Sequence, residues 1–270
     1  MRRQLHAAAI QLNSQGDLEA NLAIVARLVD RAAADGAQIV VVPENFAYFG
    51  PERLRRDIAE SEAGGPIQEA LQELAQRHRV AIVAGGFPER STDPKRPFNT
   101  CLVVGSDGGV RARYRKLHLF DVELPGGRVL SESATTMPGT TPVITEVEGV
   151  AVGLTICYDL RFPELFRWLS EHGAEVVVVP AAFTLQTGRD HWQVLVRARA
   201  IENQVWVVAA NQWGEHPESR QSYGHSAVVD PWGRIVAEQA EGTGVVGALL
   251  DLDELTVIRR RLPCLDHRRL

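Results

Sequence analysis

The apolar positions of this chain fall into short runs separated by amphipathic stretches, and the order of the two kinds repeats. LHAAAIQL (5–12) and VAVGLTIC (150–157) each read as a mostly apolar strand. A helical pattern follows each, LEANLAIVARLVDRAAADG in the first case and PELFRWLSEHG in the second. Both stop at glycine, which readily takes the left-handed conformation that ends helices. Next come two near-identical segments, GAQIVVVPENF (36–46) and GAEVVVVPAAF (173–183), each an apolar strand closed by proline. The pattern then predicts second helices over 67–79 and 191–204, and further strands over 80–87 and 205–213. Each half closes with a hairpin-like pair, turning at Ser106-Asp107-Gly108-Gly109 and at Asp230-Pro231-Trp232-Gly233.

The runs are apolar enough for strands covered on at least one face. Two units of strand–helix–strand–helix–strand–strand–strand are most simply buried as two sheets packed face to face, each covered outside by two helices. The expected class is therefore α/β, a sandwich of two pseudo-repeated halves. The join at 121–150 contains proline and glycine but is not low-complexity, so a single domain over 1–270 is expected, with a C-terminal tail from about 252.

Composition narrows the function classes. Hydrophobic residues make up 45% and charged residues 23% of the 270, as in an ordinary globular protein. A net charge of −5 gives no reason to expect a nucleic-acid partner. No run approaches the roughly 20 apolar residues of a membrane span, and the first residues lack a signal-peptide pattern. Three cysteines without a CxxC pair, and eight histidines without HExxH, point away from disulfides, metal and cofactor. A cytoplasmic location is expected.

The two halves share a pattern but not their polar residues. Aligned by strand ends, Cys157 stands against Gln11, Glu44 against Ala181, and Lys116 near Ala240. A thiol, a carboxylate and an ammonium at strand ends can together perform nucleophilic catalysis: sulfur attacks, the carboxylate takes its proton and the cation stabilises the oxyanion. Cys157 ends a strand just before a helix that Pro163 can open, so a positive helix end is expected to lower its pKa and favour thiolate. Glu44, leaving a buried strand, is expected to be partly desolvated and so a usable base. Cys101 and Cys264 read as buried core cysteines, and His191 and His225 as structural.

PENF, YRKLHLF and GLTICYDLRFPELFR, in this order, resemble the three signature segments of the nitrilase superfamily of carbon–nitrogen hydrolases. YGHSAVVDPWG (223–233) extends the resemblance, and DVELPGG, SESATTMPG and RLPCLDHRR look most like the deaminated glutathione amidases of its Nit branch. The resemblance implies a four-layer αββα sandwich, in agreement with the duplicated pattern, and a homodimer or higher homo-oligomer. It implies Glu44 as general base, Lys116 as oxyanion stabiliser and Cys157 as nucleophile, with Glu132 as assisting carboxylate or, alternatively, Glu123. The implied reaction is hydrolysis of a primary amide of a small carboxylate-bearing molecule, to acid and ammonia through a cysteine thioester. Alternatives are an omega-amidase on 2-oxoglutaramate or 2-oxosuccinamate, an N-carbamoyl amino acid hydrolase, or a nitrilase. The Tyr158 backbone N–H is implied as a second oxyanion donor. Arg161 is the expected carboxylate clamp, unless it pairs with Asp159 or Glu164. Thr187 and Phe183 belong to the segment that lines the acyl pocket in similar amidases, although Phe183 also suits core packing; Tyr48 is a further wall candidate. A papain-like pairing of the thiol with His118 or His225 is a competing arrangement.

Overall fold

The computed structural model describes residues 3–124 and 127–269. Pro125 and Gly126 of DVELPGG, and the ends of the expected 1–270 span, lie outside the described residues.

The first half runs β1 (Gln4–Gln11), α1 (Leu18–Ala34), β2 (Ile39–Val42), α2 (Pro66–His78), β3 (Ala81–Glu89), β4 (Phe98–Val104) and β5 (Val110–Arg115). A short hairpin, β6 (Asp121–Leu124) and β7 (Arg128–Ser131), leads to the second half. That half is β8 (Ile144–Val147), β9 (Val150–Leu154), α3 (Pro163–Glu171), β10 (Val176–Ala181), α4 (Leu185–Asn203), β11 (Trp206–Asn211), β12 (Trp213–His216), β13 (Arg220–Tyr223), β14 (Ser226–Val229) and β15 (Ile235–Gln239). β16 (Gly244–Asp251) and α5 (Asp253–Arg261) follow.

The local reasons for these elements are visible in the chain. The Asp17 carboxylate caps α1 by accepting from Ala20 N at 3.0 Å. Proline opens α2 and α3, where its missing N–H costs nothing. Gly36 and Gly173, at φ 87° and 96°, turn the chain from α1 into β2 and from α3 into β10.

Two six-stranded sheets result, ordered β16-β1-β2-β3-β4-β5 and β15-β14-β11-β10-β9-β8. The order β1-β2-β3-β4-β5 in one corresponds to β9-β10-β11-β14-β15 in the other, which is the predicted repeat. Along β2, Ile39 and Val41 enter a core shared with Val152, Val176 and Val178 of the second sheet. Val40 and Val42 pack instead with Val25 and Val29 of α1 and Leu71 of α2. Val177 and Val179 likewise face Phe166 of α3 and Trp192 of α4. Three apolar layers thus separate four layers of structure, helix–sheet–sheet–helix, as expected.

Three features depart from the sequence reading. β16 crosses from the second half to pair antiparallel with β1, Gln4 opposite Asp251, so the halves are stitched together. Leu252 and Leu255, in the predicted tail, are buried in the core between the sheets. Finally, α4 begins at Leu185, six residues before the expected start. The polar, glycine-containing LQTGRD lies outside the helix expected over 191–204, but Gly188 lets α4 pass directly against the Tyr223 ring, where any side chain would collide.

Candidate active site

Glu44 leaves β2 through Pro43, and its position is held from three sides. The Asn45 N–H donates to Gly86 O at 2.9 Å, and Asn45 takes φ 61°, a left-handed value that Asn tolerates. Gln212, just past β11, donates to the Glu44 carbonyl at 2.9 Å. The side chain is 5% exposed. Its Oε1 accepts from Lys116 Nζ and Asn99 Nδ2, each at 2.9 Å, and its Oε2 from the Ala182 N–H at 3.1 Å.

Lys116 directly follows β5, and its backbone N–H donates to Asn99 O at 2.9 Å. Its ammonium also meets Glu132, at 2.8 Å to Oε2 and 3.1 Å to Oε1. Burial alone would discharge this lysine, but the charges of Glu132 and Glu44 outweigh it and hold its pKa well above the ordinary range. Glu132 receives a further bond from Phe120 N at 2.8 Å. Burial would raise its pKa; the Lys116 charge and hydrogen bonds from Lys116 and Phe120 lower it overall. Of the two glutamates left open by the sequence, Glu132 therefore joins this cluster. Glu123 lies exposed on β6, opposite Val129.

Cys157 follows β9 at φ 48° and opens a 3₁₀ turn, Cys157–Arg161. The turn is pinned by Asp159, which is fully buried. One Asp159 oxygen accepts from Ile156 N at 2.8 Å and the Tyr114 hydroxyl at 2.6 Å; the other accepts from His118 N at 3.1 Å and lies 2.7 Å from His118 Nδ1. Tyr114 and His118 flank Lys116 in sequence, so one carboxylate ties the thiol-bearing turn to the lysine-bearing strand. The expected thiolate is corrected by these surroundings. Burial and the Glu44 charge push the Cys157 thiol well above its usual range, and Lys116 offsets them only in part. The helix that Pro163 opens is α3, as expected, but it starts six residues after Cys157, beyond the 3₁₀ turn, and burial dominates at the thiol.

Glu44, Glu132 and Cys157 border one cavity of about 700 Å³, lined also by Tyr158, Arg161, Phe183 and Thr187; Lys116 lies behind the two carboxylates, bonded to both. The Arg161 guanidinium lies 5.0 Å over the Phe183 ring and 3.2 Å from His191 Nδ1. It forms no ion pair with Asp159, whose oxygens are occupied as described, or with Glu164. The Thr187 hydroxyl lies 2.7 Å from that of Thr184. Tyr48 is a correction: its hydroxyl turns towards Pro51 O at 3.5 Å, and its neighbour Phe49 lines the cavity instead. Cys264 is exposed rather than buried, because it lies beyond α5 and outside the packed layers; Cys101 is buried. His118 is held by Asp159 and stacked on Phe162 at 3.7 Å, while His225 meets Glu238 at 2.8 Å. Neither histidine lines the cavity.

Asn99 was missed by sequence reading. It bridges Glu44 and Glu132, donating at 2.9 and 3.2 Å. The available signal was a polar pair, Asn99-Thr100, at the buried start of an otherwise apolar strand. Arg55, also on the cavity wall, carried no signal beyond its place among neighbouring charges. Among the described residues no group of three or more His, Cys, Asp or Glu is arranged to hold a metal ion.

The geometry offers a buried carboxylate, a charged ammonium and a protonated thiol beside one cavity, the components of acyl transfer from an amide. Comparison with known proteins agrees. The carbon–nitrogen hydrolase family model matches residues 6–260. A deaminated glutathione amidase of Synechocystis sp. is 45% identical over 265 residues, covering 97% of both chains. The Homo sapiens deaminated glutathione amidase is 43% identical over 268 residues, 97% of this chain and 81% of that one. Among solved structures, Saccharomyces cerevisiae Nit3, a member of branch 10 of the nitrilase superfamily, superposes with a TM-score of 0.90 at 33% identity, covering 99% of this chain and 97% of that one. The Caenorhabditis elegans NitFhit protein does so with a TM-score of 0.92 at 41% identity, covering 98% of this chain and 65% of that one. The chain belongs to the carbon–nitrogen hydrolase family, has the nitrilase fold and is a Nit-branch enzyme acting on amides.

Proposed function

We propose that this enzyme hydrolyses deaminated glutathione through a Cys157 thioester. The observation that carries the chemistry is that Glu44 and Glu132, joined by Lys116, border one cavity with Cys157. The relatives named above support the substrate.

Because the resting thiol is protonated, attack needs a base, and Glu44 is the carboxylate whose charge acts most strongly on it. As sulfur bonds to the carbonyl carbon, Glu44 takes the thiol proton. The oxyanion is stabilised by Lys116 and the Tyr158 N–H. Glu44 then returns the proton to the leaving amine as the C–N bond breaks. Water deprotonated by Glu44 attacks the thioester, and the acid and free thiol are released. Glu132 is refined from a water-activating role. Both its oxygens already accept hydrogen bonds and it stays ionised, so it holds Lys116 charged and in place.

The leaving group also needs refinement. Glutathione without its amino group retains two amides, the acyl–cysteine bond and the cysteinyl–glycine peptide, and neither is primary. Cleavage of the first releases a dipeptide amine rather than the ammonia expected from sequence. Arg161 is assigned to a substrate carboxylate, with Phe183 and Thr187 as walls of the pocket. We further propose a cytoplasmic homodimer forming one domain over 1–270; the three free cysteines are compatible with a reducing compartment.

The test is product analysis with deaminated glutathione, 2-oxoglutaramate and N-carbamoyl-β-alanine in parallel. Release of cysteinylglycine, with the highest kcat/KM for the first, is expected. Preference for either of the others would overturn the substrate.

A further inference from the structure

The cavity wall holds an arginine that the reaction above leaves unused. Arg55 lies in the 3₁₀ turn Glu52–Ile58, in the segment that follows Glu44, and borders the same cavity as Cys157. It is 5% exposed, and a buried guanidinium has five N–H donors to satisfy. Among the described residues its hydrogen bonds reduce to one, a 3.4 Å contact with Glu52, whose side chain is 40% exposed. That is a long contact to a solvated acid, and it leaves most of the guanidinium's donors available to a ligand in the cavity. The charge nevertheless reaches the reacting groups: Arg55 is among the residues that lower the Glu132 pKa.

The order of the reaction assigns the ends of the cavity. The amine departs while the acyl group is still bonded to sulfur, so the leaving portion must lie towards the mouth and the acyl portion deeper. Arg55 is the buried cation. Arg161 and Arg220 are half-buried, Arg220 being paired with Glu52 at 3.0 Å, and Arg189, in the first turns of α4, is exposed. Arg161 and Arg189 belong to the segments that carry Tyr158 and Phe183, which moves Phe183, expected beside the acyl group, to the leaving-group side. Deaminated glutathione has a carboxylate at each end, one on the acyl group and one on glycine. We infer that Arg55 binds the acyl-side carboxylate of a substrate with two carboxylates, leaving Arg161 for the carboxylate of the departing amine. This rests on the amidase reading above and identifies the second anion contact of the same site.

The test pairs variants with substrates. Arg55→Gln and Arg55→Lys are assayed beside the unaltered enzyme on deaminated glutathione, on N-butanoyl-cysteinylglycine, which lacks the acyl-side carboxylate, and on deaminated glutathione with its glycine carboxylate capped as an N-methylamide. For Arg55→Gln, kcat/KM is expected to fall about 10²-fold on the first and third, mainly through KM. On N-butanoyl-cysteinylglycine the variant and the unaltered enzyme should agree within about threefold, because no charge remains there to be bound. Arg55→Lys, which keeps the charge but not the planar fork, should recover part of the loss. Equal losses on all three substrates would mean that Arg55 is structural and would overturn the inference. So would a loss that disappears only when the glycine end is capped. Failure of the unaltered enzyme to cleave deaminated glutathione would instead overturn the amidase reading itself.

Discussion

The Glu44 carboxylate accepts a hydrogen bond from the Ala182 backbone N–H at 3.1 Å. The two residues come from the matching segments PENF and PAAF. Sequence similarity between the halves therefore ends as a physical contact across the two sheets, with the acid supplied by one copy and the amide by the other. Ala182 N is also one of the few groups that lower the Cys157 pKa.

If Glu44 moves the proton, Glu44→Gln should lower kcat by roughly 10²–10⁴-fold, while the thiol remains available to iodoacetamide. Removing the Glu44 charge also relieves one cause of the raised thiol pKa, so the pH at which alkylation accelerates should move down. Near-normal turnover by this variant would instead favour a histidine partner.

Glu132→Gln should act through Lys116. Without this carboxylate the lysine loses its strongest stabilising charge, so its pKa falls. The alkaline limb of the rate profile should then move to lower pH, with kcat reduced by about 10²-fold. An unchanged alkaline limb would contradict the positioning role.

Gly86→Ala tests the support beneath Glu44. A methyl at Gly86 would overlap Asn99 Oδ1 and displace an amide that donates to both Glu44 and Glu132. A fall in kcat of about 10-fold or more is expected, larger than any change in KM. Asn99→Ala should reproduce it without the steric clash.

Cysteine labelling should separate the three thiols. Cys264 is exposed and should be alkylated first; Cys101 is fully buried, with its thiol pushed up by burial, and should react only on unfolding. Cys157 should react slowly near neutral pH and faster as pH rises, because its thiol is held protonated. Substrate should protect it. Rapid pH-independent labelling of Cys157 would restore the thiolate expected from sequence.

His216 gives the fold its own acid sensitivity. Its ring donates from Nδ1 to Ser14 O at 2.8 Å, lies 3.0 Å from Ser222 Oγ through Nε2, and packs at a 34° tilt against the Phe49 ring, 4.2 Å away. Burial lowers its pKa from 6.5 to about 4. Between those values the unfolded chain binds a proton that the folded chain refuses, so stability falls as pH drops through this window and levels below it. The loss is up to about 3 kcal/mol. Urea unfolding from pH 4 to 7 should show a shallower slope for His216→Gln than for the unaltered protein.

Much of the fold was legible because its determinants are local. The periodicity of 39–42 and 176–181, the glycine stops at Gly36 and Gly173, and the proline starts of α2 and α3 act within a few residues. Their repetition pointed to two similar halves. The residue types at Glu44, Lys116 and Cys157 were legible too, through the contrast between those halves and the signature segments. What the chain could not show by itself depends on distance in space. The choice of Glu132 over Glu123 follows from which carboxylate reaches Lys116. The capture of β16 by β1 follows from which sheet edge is open. The protonation of Cys157 reverses the local expectation for the same reason: burial and neighbouring charge are set by everything packed around a group, and the start of α3, six residues along the chain, does not outweigh them.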